Sequence, residues 1–99
     1  MSDQSSAPKG TRARKLDKSF HSGDQSAFCK LMVKARKTAG LTQRELADRL
    51  HKPQSFVAKY EGGERRIDVV EFVTICWAIG ADPAKTLKAL TKAIGSSSA

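Results

Sequence analysis

The chain has 99 residues, of which 18 are Lys or Arg and 10 are Asp or Glu, for a net charge of +8 and a pI near 9.9. That length fits one small domain with a modest core, and the charge favours polyanions, nucleic acid ahead of anionic membrane. No apolar run approaches the roughly 20 residues of a membrane span and the start carries no secretory pattern, so a cytoplasmic setting with no membrane partner is expected.

Residues 1–26 form a polar tail that has little to bury, and their composition predicts disorder. The tail holds a basic cluster, Lys9, Arg12, Arg14, Lys15 and Lys18, diluted by Asp17. Such a cluster reads either as a solubilising segment or as an arm that tracks phosphates or enters a minor groove. The folded part is expected over residues 27–94. Phe28, Met32 and Ala35 give helix 1 an inward stripe, which stops at Gly40. Leu41 stands outside a Thr42-x-x-Glu45 capping box as the outer half of a hydrophobic staple. Leu46, Ala47 and Leu50 recur at helical spacing through helix 2, residues 43–50. His51-Lys52-Pro53 breaks the run, and helix 3 covers residues 54–61 with Val57 and Tyr60 inward. After a Gly-Gly-Glu-Arg-Arg loop, Asp68 can cap helix 4, whose apolar positions are Val69, Phe72, Val73, Cys76 and Ile79. Asp82-Pro83 is an N-cap followed by a first-turn proline. Helix 5 then carries Leu87, Leu90 and Ile94 on one face, and residues 95–99 are expected to be a flexible end. The sum is an all-α bundle of five short helices.

Catalytic chemistry finds no foothold in this pattern. Cys29 and Cys76 sit within helical segments, match no metal-ligand spacing, and read as small buried hydrophobes. His21 and His51 are lone histidines with no nucleophile or carboxylate arrangement around them. A Gly-rich phosphate loop is also missing from the sequence. The expectation is a chain with no catalytic residues, no metal site, no cofactor and no enzyme activity.

Two short helices joined by a tight turn, residues 42–63, describe a helix-turn-helix, whose second helix enters the DNA major groove. The residues Gly40-Leu41-Thr42-Gln43, Glu45-Leu46-Ala47, Gln54-Ser55-Phe56-Val57 and Tyr60-Glu61-Gly62-Gly63 resemble the Cro/C1-type helix-turn-helix domain, the xenobiotic-response-element family. The resemblance covers about residues 28–90. It implies a compact five-helix, lambda-repressor-like domain and a sequence-specific binder of double-stranded DNA. Members are mostly repressors of bacteria, phages and plasmids, acting as dimers on palindromic operators, so a bacterial or mobile-element origin is implied as well.

Roles carry over onto matching positions. Gln43 resembles the family glutamine that binds a phosphate and buttresses the recognition helix. Gln54, Ser55, Phe56 and Lys59 occupy base-facing positions; Gln can hold adenine and Lys favours guanine. Arg44, Lys52, Arg65 and Arg66 are expected on phosphates, together with Gln43. Arg36 and Glu61 resemble a structural pair that ties helix 1 to the end of helix 3. Three residues depart from the family pattern. His51 stands at a usual turn glycine, Pro53 at a usual Ser or Thr cap, and Phe56 at a usually small polar position. Phe56 either packs on a thymine methyl or tucks against Lys52 or a neighbouring helix.

Helix 4 places Val70 and Trp77 seven residues apart on one face, where polar residues are usual. Exposed apolar residues in such an arrangement suggest a partner surface. A homodimer interface of Val70, Val73, Thr74 and Trp77, assisted by helix 5, is one expectation; cover of Trp77 by helix 5 or the tail is the other. The alternative to a simple repressor is an antitoxin-type protein, whose tail grips a toxin and which represses its own operon. A toxin or an anti-repressor would then be a protein partner.

Overall fold

Caps at Thr42, Asp68 and Asp82 mark the starts of three helices in this chain. The computed structural model describes residues 22–98 as five helices: α1 (Ser22–Thr38), α2 (Gln43–Leu50), α3 (Gln54–Glu61), α4 (Val69–Ile79) and α5 (Pro83–Ser98). No strand occurs among the described residues. The basic cluster at Lys9 to Lys18 lies outside them. Gly40 ends α1 with a φ of 76°, a left-handed conformation that glycine adopts without a Cβ clash. The Thr42 box closes as expected: Thr42 Oγ1 accepts the Glu45 N–H at 3.0 Å, and Glu45 Oε1 accepts the Thr42 N–H at 2.9 Å. A second box stands at α4, where Asp68 accepts the Glu71 N–H at 2.7 Å and Glu71 accepts the Asp68 N–H at 2.9 Å. Asp82 Oδ1 receives the Ala84 N–H at 2.8 Å ahead of α5.

The helices pack around Met32, Leu46, Ala47, Val57, Tyr60, Phe72, Ile75, Cys76 and Ile79. Phe28 closes one end, its ring 6.2 Å from that of Phe72. Burial of these apolar side chains is the main favourable term in a domain this small. Arg49 ties α2 to the end of α4 by donating to the Ala78 carbonyl at 2.8 Å, one of the carbonyls that a helix end leaves unpaired.

The observed elements correct several expectations. Helix α1 begins at Ser22, within the stretch assigned to the tail, and α5 runs through Gly95 to Ser98. Periodicity missed both ends because the added turns carry polar or small residues with no apolar stripe. Leu87 is half exposed, so only Leu90 and Ile94 of the expected α5 face turn inward. Val69 is also solvent-facing, while Ile75, not singled out in the sequence, lies fully in the core.

Candidate nucleic-acid interface

The turn between α2 and α3 is made by His51, which adopts φ 57° and ψ 43° as the α2 C-cap. A residue with a Cβ pays a steric penalty there that glycine avoids. The His51 N–H donates to the Asp48 carbonyl at 3.2 Å and the Lys52 N–H to the Ala47 carbonyl at 3.0 Å, closing α2. Pro53 then enters α3 with extended backbone, and no side chain caps that helix. The result is two eight-residue helices with Leu46, Ala47, Val57 and Tyr60 buried between them.

A hydrogen-bonded chain runs from the core to the exposed start of α3. Arg36 Nε donates to Glu61 Oε2 at 2.8 Å and Nη2 to Oε1 at 3.1 Å. Arg36 Nη1 also donates to the Leu41 carbonyl at 2.7 Å, which anchors the entry to α2. Both members of the pair are buried, Arg36 being 7% and Glu61 9% exposed. The bond to Glu61 raises the Arg36 pKa above its ordinary value, with burial opposing. Gln43 Nε2 donates to Glu61 Oε1 at 3.0 Å, and Gln43 Oε1 accepts from Gln54 Nε2 at 3.3 Å. Gln54 is exposed at the first position of α3, held by a side chain that is itself held by a buried carboxylate. The Arg36–Glu61 pair inferred from the family pattern is therefore present as a close bidentate contact.

Phe56 does not project into solvent. Its half-buried ring meets Tyr60 edge-on at 5.5 Å. The Arg65 guanidinium lies 4.8 Å above the ring centroid and Lys52 Nζ lies 5.6 Å from it. This arrangement matches the packed alternative for Phe56 rather than a free base-contacting ring. Cation–π attraction gathers two of the expected phosphate contacts on one aromatic platform. Arg65 is further engaged by Glu71, at 3.2 and 2.9 Å, and donates to the Arg66 carbonyl at 3.0 Å. The Arg65 bond, with the Asp68 N–H second, holds the Glu71 carboxyl below its ordinary pKa.

Ser55 and Lys59 are exposed on α3, and Arg44 and Arg66 are exposed on either side of it in the chain. Arg44, Lys59 and Arg66 make no side-chain hydrogen bond or ion pair among the described residues. These cations are thus unpaired among the described residues, Arg44 beside Gln43 in the chain, Lys59 on the last turn of α3 and Arg66 facing α1. Glu71 was missed in the sequence as a partner of Arg65, although the spacing Asp68-x-x-Glu71 is itself a cap signal. On α4, Val70 and Trp77 are 74% and 69% exposed and Thr74 is exposed, whereas Val73 leans partly on the core. Helix α5 leaves Trp77 uncovered. The Tyr60 hydroxyl is buried without a hydrogen-bond partner among the described residues, and burial pushes its pKa up.

The Helix-turn-helix family model matches residues 32–85. A solved structure described as an XRE-family like protein, from Pseudomonas syringae pv. tomato, is 49% identical to this chain. That match covers 70% of this chain and 84% of the other, with a TM-score of 0.67. No curated protein matches the sequence. The matched span takes in both helices, the turn between them and the Arg36–Glu61–Gln43–Gln54 chain. The protein belongs to the XRE, or Cro/C1-type, helix-turn-helix family of DNA-binding transcription regulators.

Proposed function

We propose that this protein is a sequence-specific repressor that binds a palindromic operator as a homodimer, without catalysing a reaction and without a cofactor, in the cytoplasm. The observation that carries the reading is the bonded chain Arg36–Glu61–Gln43–Gln54. A base-reading side chain gains specificity when its position is fixed before the DNA arrives, because less freedom is lost on binding. Gln54 and Ser55 at the open end of α3 read base edges, joined by Lys59. Gln43, Arg44, Lys52, Arg65 and Arg66 take phosphates, with Arg65 exchanging Glu71 for the DNA backbone. Phe56 serves as the platform beneath Arg65 and Lys52.

The exposed α4 face supports the dimer. Exposed Val70 and Trp77, flanked by Thr74 and part of Val73, form a partly apolar face of the kind that partner contacts use. Two copies joined there would present two α3 helices to half-sites about 10 bp apart, one turn of duplex. No observation favours the antitoxin alternative over this one.

Selection of bound sites from a random duplex library at ~150 mM salt tests the reading, since non-specific binding is suppressed there. An enriched palindrome is expected. On that site Gln54→Ala should cost ~1–3 kcal/mol and relax the preference at one base pair. Equal losses on the selected site and on random duplex would refute base reading by Gln54.

A further inference from the structure

Helix α1 and the loop after α3 border an open groove of about 870 Å3, of whose lining the DNA reading uses only Arg66 and Glu61. Lys30, Lys34 and Lys37 line one side of it and Arg66 the other. The three lysines are spaced i, i+4 and i+7, which puts them on one face of α1. All four cations are exposed, and none is ion-paired among the described residues. The acid in the wall, Glu61, is already engaged by Arg36 and Gln43. The rim is therefore positive, with Asp24 the nearby acid, on the adjoining groove that Arg66 also lines. The floor differs in character: Val33 is half-buried, Cys29 is buried, and Gly62 and Gly63 bring no side chain into the space.

We propose that this groove docks an acidic, amphipathic segment of a partner protein. Its carboxylates would meet the lysine rim and Arg66, and an apolar side chain would rest on Val33 and Cys29. Charge complementarity selects this occupant. The chain's own residues 1–21 carry Lys9, Arg12, Arg14, Lys15 and Lys18, and like charges disfavour their entry. A duplex would bring phosphates to the rim but could use nothing of the apolar floor, whereas a peptide uses both. Arg66 belongs to the rim and is also a proposed phosphate contact, so the segment and DNA compete for it. That competition rests on the proposed DNA reading; the docking itself does not.

The test is to select short random displayed peptides on the full chain and to measure the winners against variants. Each variant is also titrated with the selected duplex at several salt concentrations. Winning peptides should interleave Asp or Glu with Leu, Ile or Val. Lys34→Glu combined with Lys37→Glu should weaken them about tenfold or more, the scale of a lost charge pair at an interface. Val33→Asp should weaken them as well, and Lys88→Glu on α5 should leave them unchanged. Peptides indifferent to the paired reversal, or no winners at all, would overturn the proposal. A paired reversal that spares the peptides and lowers the salt slope of duplex binding by about two would instead make the rim a DNA-backbone track. If peptides behave as expected while wild-type protein shows no site preference on DNA, the repressor reading fails and this one stands.

Discussion

His51 shows how a single residue can hold a turn against its own preference. Its left-handed backbone costs roughly 1–2 kcal/mol for a residue with a Cβ, and glycine returns part of that as unfolded-state entropy, about 0.5–1 kcal/mol. His51→Gly should therefore stabilise the domain by up to about 1 kcal/mol, raising Tm by a few degrees. A fall in Tm on thermal unfolding would mean that the imidazole makes a compensating contact. The buried Arg36–Glu61 pair has a different weight. Its desolvation offsets much of its attraction, so its contribution is geometric: it fixes where Gln43, and through it Gln54, can sit.

At the scale of elements, α2 and α4 share one device, a reciprocal cap whose third helical residue is a glutamate. Both carboxyls lie below the ordinary value of 4.5. For Glu45 the leading cause is the Thr42 N–H it accepts, followed by the Thr42 hydroxyl. A carboxyl whose folded pKa is depressed lends stability above its unfolded pKa and loses it as pH falls through the folded value. Denaturant midpoints should accordingly drop as pH falls below about 4.5. Replacing both Glu45 and Glu71 by Gln keeps an oxygen able to accept each cap N–H, gives up the second Arg65 bond at Glu71, and removes the titration. The double variant should then show a flatter midpoint profile between about pH 5 and pH 3. An unchanged slope would place the acid sensitivity elsewhere. The two boxes differed in legibility: Thr42-x-x-Glu45 precedes a clear amphipathic run, whereas Asp68-x-x-Glu71 opens a helix that is apolar almost all round.

For the whole molecule, the proposed dimer would join two reading heads through the exposed α4 face. Trp77→Glu places a charge in the centre of the proposed interface, where burying it unpaired is costly. Sedimentation should show loss of the dimer. DNA affinity should fall with it, because the two half-sites would no longer be linked by effective concentration. A variant that sediments as wild type would exclude this face. Trp77 lies on the opposite side of α4 from Phe72 and Ile75, so its loss should change thermal stability little, which separates the assembly effect from unfolding.

By itself the sequence determined five helices (though not the outer ends of α1 and α5), the caps at Thr42, Asp68 and Asp82, most of the core and the helix-turn-helix. It did so because those features are local: a periodicity of 3.6 residues, a cap spacing, a glycine where the chain must turn. It also located Arg36, Glu61, Gln43 and Gln54, through their match to a family pattern. Only the tertiary structure decided how these residues meet, since Glu61 bonds across 18 residues to Gln43 and across 25 to Arg36. The same holds for Phe56, whose ring could have faced solvent or core until Tyr60, Lys52 and Arg65 closed around it. Leu87 and Val69 followed the apolar pattern and still ended exposed, because helical spacing defines a face but not what that face packs against. The groove beneath Lys30, Lys34 and Lys37 is the furthest from the sequence: one side comes from a helix and the other, with Arg66, from a loop 25 or more residues away, brought together by folding alone.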